Sequence, residues 1–170
     1  MHVKVVEYTE DWVAQFQREM EKLRDLFGEE LINIHHIGST SVPGLKAKPI
    51  IDMMPVVKQI DRIDAYRPQM EMLGYECMGE FGIPGRRYFR KGGDNRTHQI
   101  HAFEQGDPNV LRHLAFRDYL RANRKDAVRY GDLKADLARK FSDDIESYMD
   151  GKDALIKEIE KKALDWYSHL

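Results

Sequence analysis

Apolar residues recur three and four positions apart near the start of the chain, where Trp12, Phe16, Met20, Leu23 and Phe27 form one stripe. That spacing lines a single face of an α-helix. Thr9 is placed to cap this helix, Glu10 and Asp11 suit its positive end, and Gly28 stops it. Leu31–Ile37 reads as a strand, and residues 38–48, rich in Gly, Ser, Thr and Pro, read as a loop holding at most one helical turn. Residues 49–57 are apolar on both faces, the mark of a central strand covered on two sides. Pro55 predicts a bulge or the end of that strand. Ile63, Tyr66, Met70 and Leu73 mark a helix closed by Gly74, with Pro68 near its start. Strands follow over 75–79, 86–91 and 97–103, the last two joined through the turn residues Gly92, Gly93, Asp94 and Asn95.

From Asp107 the texture becomes helical. Asp107 before Pro108 is a cap followed by a first-turn proline, and Leu111, Leu114, Ala115 and Leu120 form the apolar side of the helix they start. Further helices are predicted over 125–141 and 153–169, with Gly151 at the break between them. The pattern describes a mixed sheet with helices in residues 1–104 and a helical cap in 105–170. No linker-like stretch separates the two, so the expectation is one domain over 1–170.

Length changes this picture little: 170 residues suit one domain and bury enough surface to fold without disulfide or metal staples. A lone cysteine, Cys77, excludes an internal disulfide framework and a cysteine-rich zinc site. Without a signal-like start or an apolar run approaching membrane length, the expected compartment is the cytoplasm. The net charge of −2 with 33% charged residues argues against binding long nucleic acid, which needs a sustained basic face. It leaves room for a local basic pocket.

The chemistry concentrates in residues 36–52. A strand ends at Gly38-Ser39, a small-residue loop follows, and a second strand brings up Asp52. Glycine lets backbone amides approach a phosphate, while Ser39 and Thr40 add hydroxyls and a helical turn adds its positive end. Asp52 would then hold a divalent metal, Mg²⁺ or another, between phosphate oxygens. A Gly-Ser pair alone is an ordinary turn. An acid within Ile50-Ile51-Asp52-Met53-Met54 is costly to bury unpaired, so it is either functional or salt-bridged to an arginine.

This segment resembles the signature of the GrpB family, within the nucleotidyltransferase superfamily. The resemblance extends through Arg96-Thr97-His98-Gln99-Ile100-His101, through residues 113–121, and to Tyr148 with Lys152. It implies an α+β (α/β) nucleotidyltransferase-like fold: a mixed β-sheet flanked by helices, with a C-terminal helical cap. It also implies a nucleoside triphosphate ligand and a small acceptor of unknown identity. Gly38, Ser39 and Asp52 match the superfamily pattern, but the second acid should fall at position 54, where this chain has Met54. Asp52 and Met54 share a strand face, so the paired carboxylate of a two-metal site is missing. The superfamily's third acid has only Gln99 and His101 nearby.

Histidine offers a substitute. His36, Asp52 and His101 together would make a mixed nitrogen–oxygen metal site, with Asp52 and His101 as catalytic residues; alternatively each histidine bonds a neighbouring polar group. Lys48, Arg86, Arg90 and Arg96 are the basic candidates for a triphosphate. Alternation puts Arg86, Tyr88 and Arg90 on one face of their strand, with Arg87, Phe89 and Lys91 opposite. Three functions remain: nucleotidyl transfer, nucleotide binding without transfer, and hydrolysis at a His/Asp metal site.

Overall fold

The computed structural model describes residues 2–170. The stripe from Trp12 to Phe27 forms α1 (Asp11–Phe27), and Gly28 leaves it with φ of +54°. Thr9 is not the formal cap. Glu10 holds that position with helical backbone angles, while the Thr9 hydroxyl accepts from the Asp11 N–H at 3.2 Å. The strands are β1 (Leu31–Ile37), β2 (Ile51–Val57), β3 (Tyr75–Cys77), β4 (Arg87–Lys91) and β5 (His98–Glu104), in the spatial order β1-β2-β5-β4-β3. Among the described residues β2 and β5 run parallel, and the pairings β1–β2, β4–β5 and β3–β4 are antiparallel. The sheet is mixed, as expected.

Pro55 lies inside β2 rather than at its end. The ladder to β5 has no paired residues between Met53↔Ile100 and Val56↔Phe103, the stretch around the missing N–H. The irregularity falls on the other neighbour, where the β1 register shifts between Leu31 and Asn33. The helix expected around Ile63–Leu73 is a 3₁₀ turn (Ile60–Tyr66) leading into the short α2 (Arg67–Met72), with Pro68 in its first turn.

The sheet's two faces have different covers. Ile51, Met53, Val57, Ile100, Ala102 and Phe89 pack with Trp12, Leu23 and Phe27 of α1 in the main core. On the opposite face Met54, Ile37 and Phe103 pack with Val110 and Leu114 of α3 (Pro108–Ala122). Asp107 caps α3 as its sequence predicts, accepting from the Asn109 N–H at 2.8 Å.

Two helices complete the second layer, α4 (Arg124–Lys140) and α5 (Ile145–Ser168). The last one begins at Ile145 rather than at residue 153, with Asp144 accepting from the Ser147 N–H at 3.1 Å. Gly151 is therefore inside a helix, not at a break. A methyl group there would stand 2.6 Å from a Leu137 methyl carbon, so glycine lets α4 and α5 approach closely. Val42 and Leu45 of the loop before β2 join the core of α3, α4 and α5, which pins that loop between sheet and helices.

Candidate functional site

The backbone after β1 turns sharply at Gly38, whose φ of +71° and ψ of −173° disfavour any residue with a side chain. Space demands glycine as well: a Cβ would lie 2.7 Å from Asp52 Oδ2 and 3.0 Å from its Cβ. Ser39–Ser41 then form one 3₁₀ turn. Two arginines of α3 hold this turn from outside. Arg121 donates twice to the Ser41 carbonyl, at 2.8 and 3.0 Å, and Arg117 donates to the His36 carbonyl at 3.2 Å. The loop is thus firmly placed against Asp52.

Ser39, Thr40, Lys48, Asp52, Arg96 and Gln99 line a cleft of about 270 Å³ whose other wall is Lys134 of α4 with Tyr148 and Lys152 of α5. The glycine, serine and aspartate are therefore brought together, under the C-terminal helices. Lys134, only 2% exposed, donates from Nζ to Ser39 Oγ at 2.7 Å. Its ammonium also lies 4.4 Å from the Tyr130 ring centre, and Lys48 and Lys152 both lie over the Tyr148 ring, at 5.1 and 5.0 Å. The Tyr148 hydroxyl and Arg96 Nε are buried without a hydrogen-bond partner among the described residues. A second cavity of about 320 Å³ adjoins across Lys48, Ile50 and Arg96, lined further by Lys4, Pro49, Asn95 and Thr97.

The electrostatics are one-sided. Four cations, Lys48, Lys134, Lys152 and Arg96, line a cleft whose only carboxylate among the described residues is Asp52. None of the four has a carboxylate within 4.0 Å among the described residues, whereas Lys46, Arg62, Arg87 and Arg129 each have at least one. Burial pulls the Lys134 ammonium well below the usual lysine range, with Lys152 and Lys48 adding like-charge repulsion. Burial likewise brings Lys152 down to about 8, and lowers Lys48 against the opposing pull of Asp52.

Asp52 itself is oriented by a short relay. Arg86, buried and able only to donate, gives an N–H to His101 Nδ1 at 3.3 Å, so His101 carries its proton on Nε2 and donates it to Asp52 Oδ1 at 3.0 Å. Arg86 is held in turn by the Glu80 and Phe81 carbonyls, at 3.1 and 2.8 Å. Both ring nitrogens of His101 are engaged, which makes it a support for Asp52 in this arrangement.

His36 does not join them. Its Nε2 donates to the Thr40 hydroxyl at 2.9 Å, which donates onward to the Ile50 carbonyl at 3.3 Å, and its ring stacks on Phe16 at 4.8 Å. Burial holds this histidine down to about 4, in its neutral form. Thr40 is consequently spent on the same bridge. No group of three or more His, Cys, Asp or Glu residues among the described residues is arranged to hold a metal, so the His36–Asp52–His101 set is not assembled. Arg90 turns to Glu76 at 3.2 Å, and Arg87 and Lys91 are engaged by Asp64 and Glu19 at 2.7 and 2.6 Å. Of the basic candidates read from sequence, Lys48 and Arg96 line the cleft, whereas Arg86 acts through His101 and Arg90 lies elsewhere.

Sequence pattern does not single out Lys134, and it links Lys152 only with Tyr148. Both nevertheless carry a signal. Lys134 interrupts the buried stripe of Ala127, Tyr130 and Ala138, and Lys152 interrupts that of Tyr148, Leu155, Ile159 and Ala163. A lysine on the apolar side of a helix must be held by something there.

The fold is nucleotidyltransferase-like in its architecture. The Cid1 poly(U) polymerase, solved with MgGTP bound, superposes with a TM-score of 0.50 at 13% identity, over 79% of this chain and 43% of that one. The chain belongs to the GrpB family, whose model, described as GrpB protein, matches residues 2–162. It is similar to UPF0157 protein YqkA of Bacillus subtilis, 49% identical over 96% of the chain, but spans only about half (48%) of that relative's length. UPF0157 protein BH1888 of Halalkalibacterium halodurans is 36% identical over 95% of this chain and 82% of its own. The crystal structure of the conserved protein GrpB from Enterococcus faecalis superposes with a TM-score of 0.93 at 49% identity, over 96% of this chain and 99% of that one. No described helix is long and apolar enough to cross a membrane.

Proposed function

We propose that the cleft binds a nucleoside triphosphate and that the protein transfers a nucleotidyl group, slowly, to a small acceptor. The observation that carries this reading is the convergence of the Gly38–Ser39 turn and Asp52 on one cleft with Lys48, Lys134, Lys152 and Arg96. In this reading Ser39 and the backbone beside it meet phosphate, the cations neutralise it, and the adjoining cavity floored by Pro49 and Ile50 takes the nucleoside.

One divalent metal ion fits the residues present. Asp52 Oδ1 is occupied by His101, while Oδ2 lies against Gly38, the glycine that leaves room for it. Mg²⁺ is ordinarily held by one or two carboxylates with substrate phosphates and water. When bound it would neutralise charge on the phosphate oxygens. Position 54 offers no second carboxylate, because Met54 is fully buried in an apolar cluster under α3.

Transfer would proceed by in-line attack. An acceptor oxygen forms a bond to the α-phosphorus and loses its proton to solvent, while the bridging α–β P–O bond breaks and pyrophosphate leaves. The chain's own part is positioning and electrostatics: Ser39, the three lysines and Arg96 fix the phosphate chain, and Asp52 is fixed by His101. With one carboxylate, transition-state stabilisation should suffer more than ground-state binding. The specific observation at Met54 therefore favours a second reading, in which the same site binds nucleotide and transfers nothing.

Calorimetric titration with nucleoside triphosphates and Mg²⁺ tests the reading, alongside pyrophosphate release in the presence of candidate small acceptors. Binding at or below about 1 mM, weakened by Asp52→Ala, is the expected result. Absence of binding at that concentration would sink both readings, and robust transfer indifferent to Asp52→Ala would move the chemistry elsewhere.

A further inference from the structure

The sheet face that carries Asp52 has one carboxylate where a two-metal clamp needs two. The neighbouring inward position is filled by Met54, 0% exposed and packed with Ile37 and Phe103 of the sheet and Val110 and Leu114 of α3. Repositioning of a side chain cannot supply the missing acid, because α3 lies directly over the place it would occupy. The cleft instead gathers cations, and it gathers them without neutralising them.

Their placement is specific. Lys134 comes from the buried side of α4 and meets Ser39 Oγ at 2.7 Å. Lys48 precedes β2 and Lys152 comes from α5, yet both ammonium groups lie on the Tyr148 ring, at 5.1 and 5.0 Å. Arg96 enters from the β4–β5 turn and lines the same cleft. Aromatic faces stabilise a nearby cation without cancelling its charge. Burying Lys134 and Lys152 beside a half-buried Lys48 is costly, and packing alone would be better served by apolar side chains. A ligand rich in anionic oxygens recovers that cost through charge-assisted hydrogen bonds in a partly dry site.

Resting on the proposed nucleotide site, we infer that Lys48, Lys134, Lys152 and Arg96 grip a polyphosphate chain directly, in place of the second metal ion, so that polyphosphate esters bind without divalent metal. The volume suits this role. At about 270 Å³ the cleft lies just below the usual range of small-molecule sites, roughly 300–1,000 Å³, enough for the phosphate chain while the nucleoside lies in the adjoining cavity.

The test is titration of the purified protein with an α,β-imido nucleoside triphosphate and with inorganic tripolyphosphate, in excess EDTA and in excess Mg²⁺. The expected affinities under the two conditions lie within about tenfold of each other, a difference of about 1.4 kcal/mol. Lys134→Met and Lys152→Met should each weaken binding in EDTA by about tenfold or more, since each removes a direct charged partner. The same variants should melt at a higher temperature, because an apolar side chain of similar length replaces a buried amine that has no carboxylate partner. Weaker binding with higher stability cannot arise from misfolding.

Strong binding in Mg²⁺ that EDTA abolishes would overturn direct capture while leaving the nucleotide reading intact. Unchanged EDTA affinity in both lysine variants would also overturn it. Absence of binding under both conditions would overturn the nucleotide reading and this inference together.

Discussion

Replacing Met54 by aspartate would restore, on paper, the second acid of a paired-carboxylate strand, and the fold says what that would cost. The Met54 side chain is fully buried among Ile37, Phe103, Val110 and Leu114. Complete burial of a methionine contributes about 1.5–3 kcal/mol, most of which the shorter aspartate forfeits. The new carboxyl meets no donor in that cluster, so it stays protonated. Holding it protonated at pH 7 against an ordinary value near 3.9 costs about 4 kcal/mol, at about 1.36 kcal/mol per pH unit. The two effects together reach about 6 kcal/mol, comparable with the whole stability of many domains, about 5–15 kcal/mol.

The pH dependence follows in sign. The folded-state pKa of the new acid is raised above its unfolded value, so the ionisation penalty is absent below about pH 4 and grows until the folded pKa is passed. Between about pH 5 and pH 7 the deficit against the parent should widen by about 2.7 kcal/mol. Urea denaturation of Met54→Asp, Met54→Leu and the parent at both pH values measures it, the leucine variant being expected to lose less than about 1.5 kcal/mol. An aspartate variant as stable as the leucine variant at pH 7 would refute the reasoning, and would mean that the face beside Asp52 can open to solvent or metal.

Two further outcomes are expected. Gly38→Ala should lose about 1–3 kcal/mol for its backbone conformation and should also lose nucleotide affinity, because the new methyl displaces Asp52; a melting curve with a calorimetric titration reads both, and unaltered binding would separate Gly38 from the site. Lys152, depressed to about 8 by burial, predicts opposite pH trends for folding and binding. Its folded pKa lies below its unfolded value, so stability should rise as pH increases through about 8 towards the ordinary lysine range. Polyphosphate affinity should fall over the same interval as the ammonium is lost, and Lys152→Met should flatten both profiles.

Local pattern determined much of this protein. The stripe from Trp12 to Phe27, the glycine stop at Gly28 and the Asp107–Pro108 start depend on neighbours a few residues away, and helices α1 and α3 match them closely. The Gly38–Ser39 turn and Asp52 were legible because a residue with no side chain and an acid in an apolar strand are each costly without a reason. Long-range packing decided the rest. Gly151 reads as a breaker until α4 comes close enough to need its missing side chain. His36 reads as a metal ligand until Thr40 and Phe16 claim it. Whether Arg86 faces ligand or His101, and whether three lysines from distant segments share one cleft, depends on which helix lies over which sheet face, a matter settled by burial of apolar surface across the whole fold.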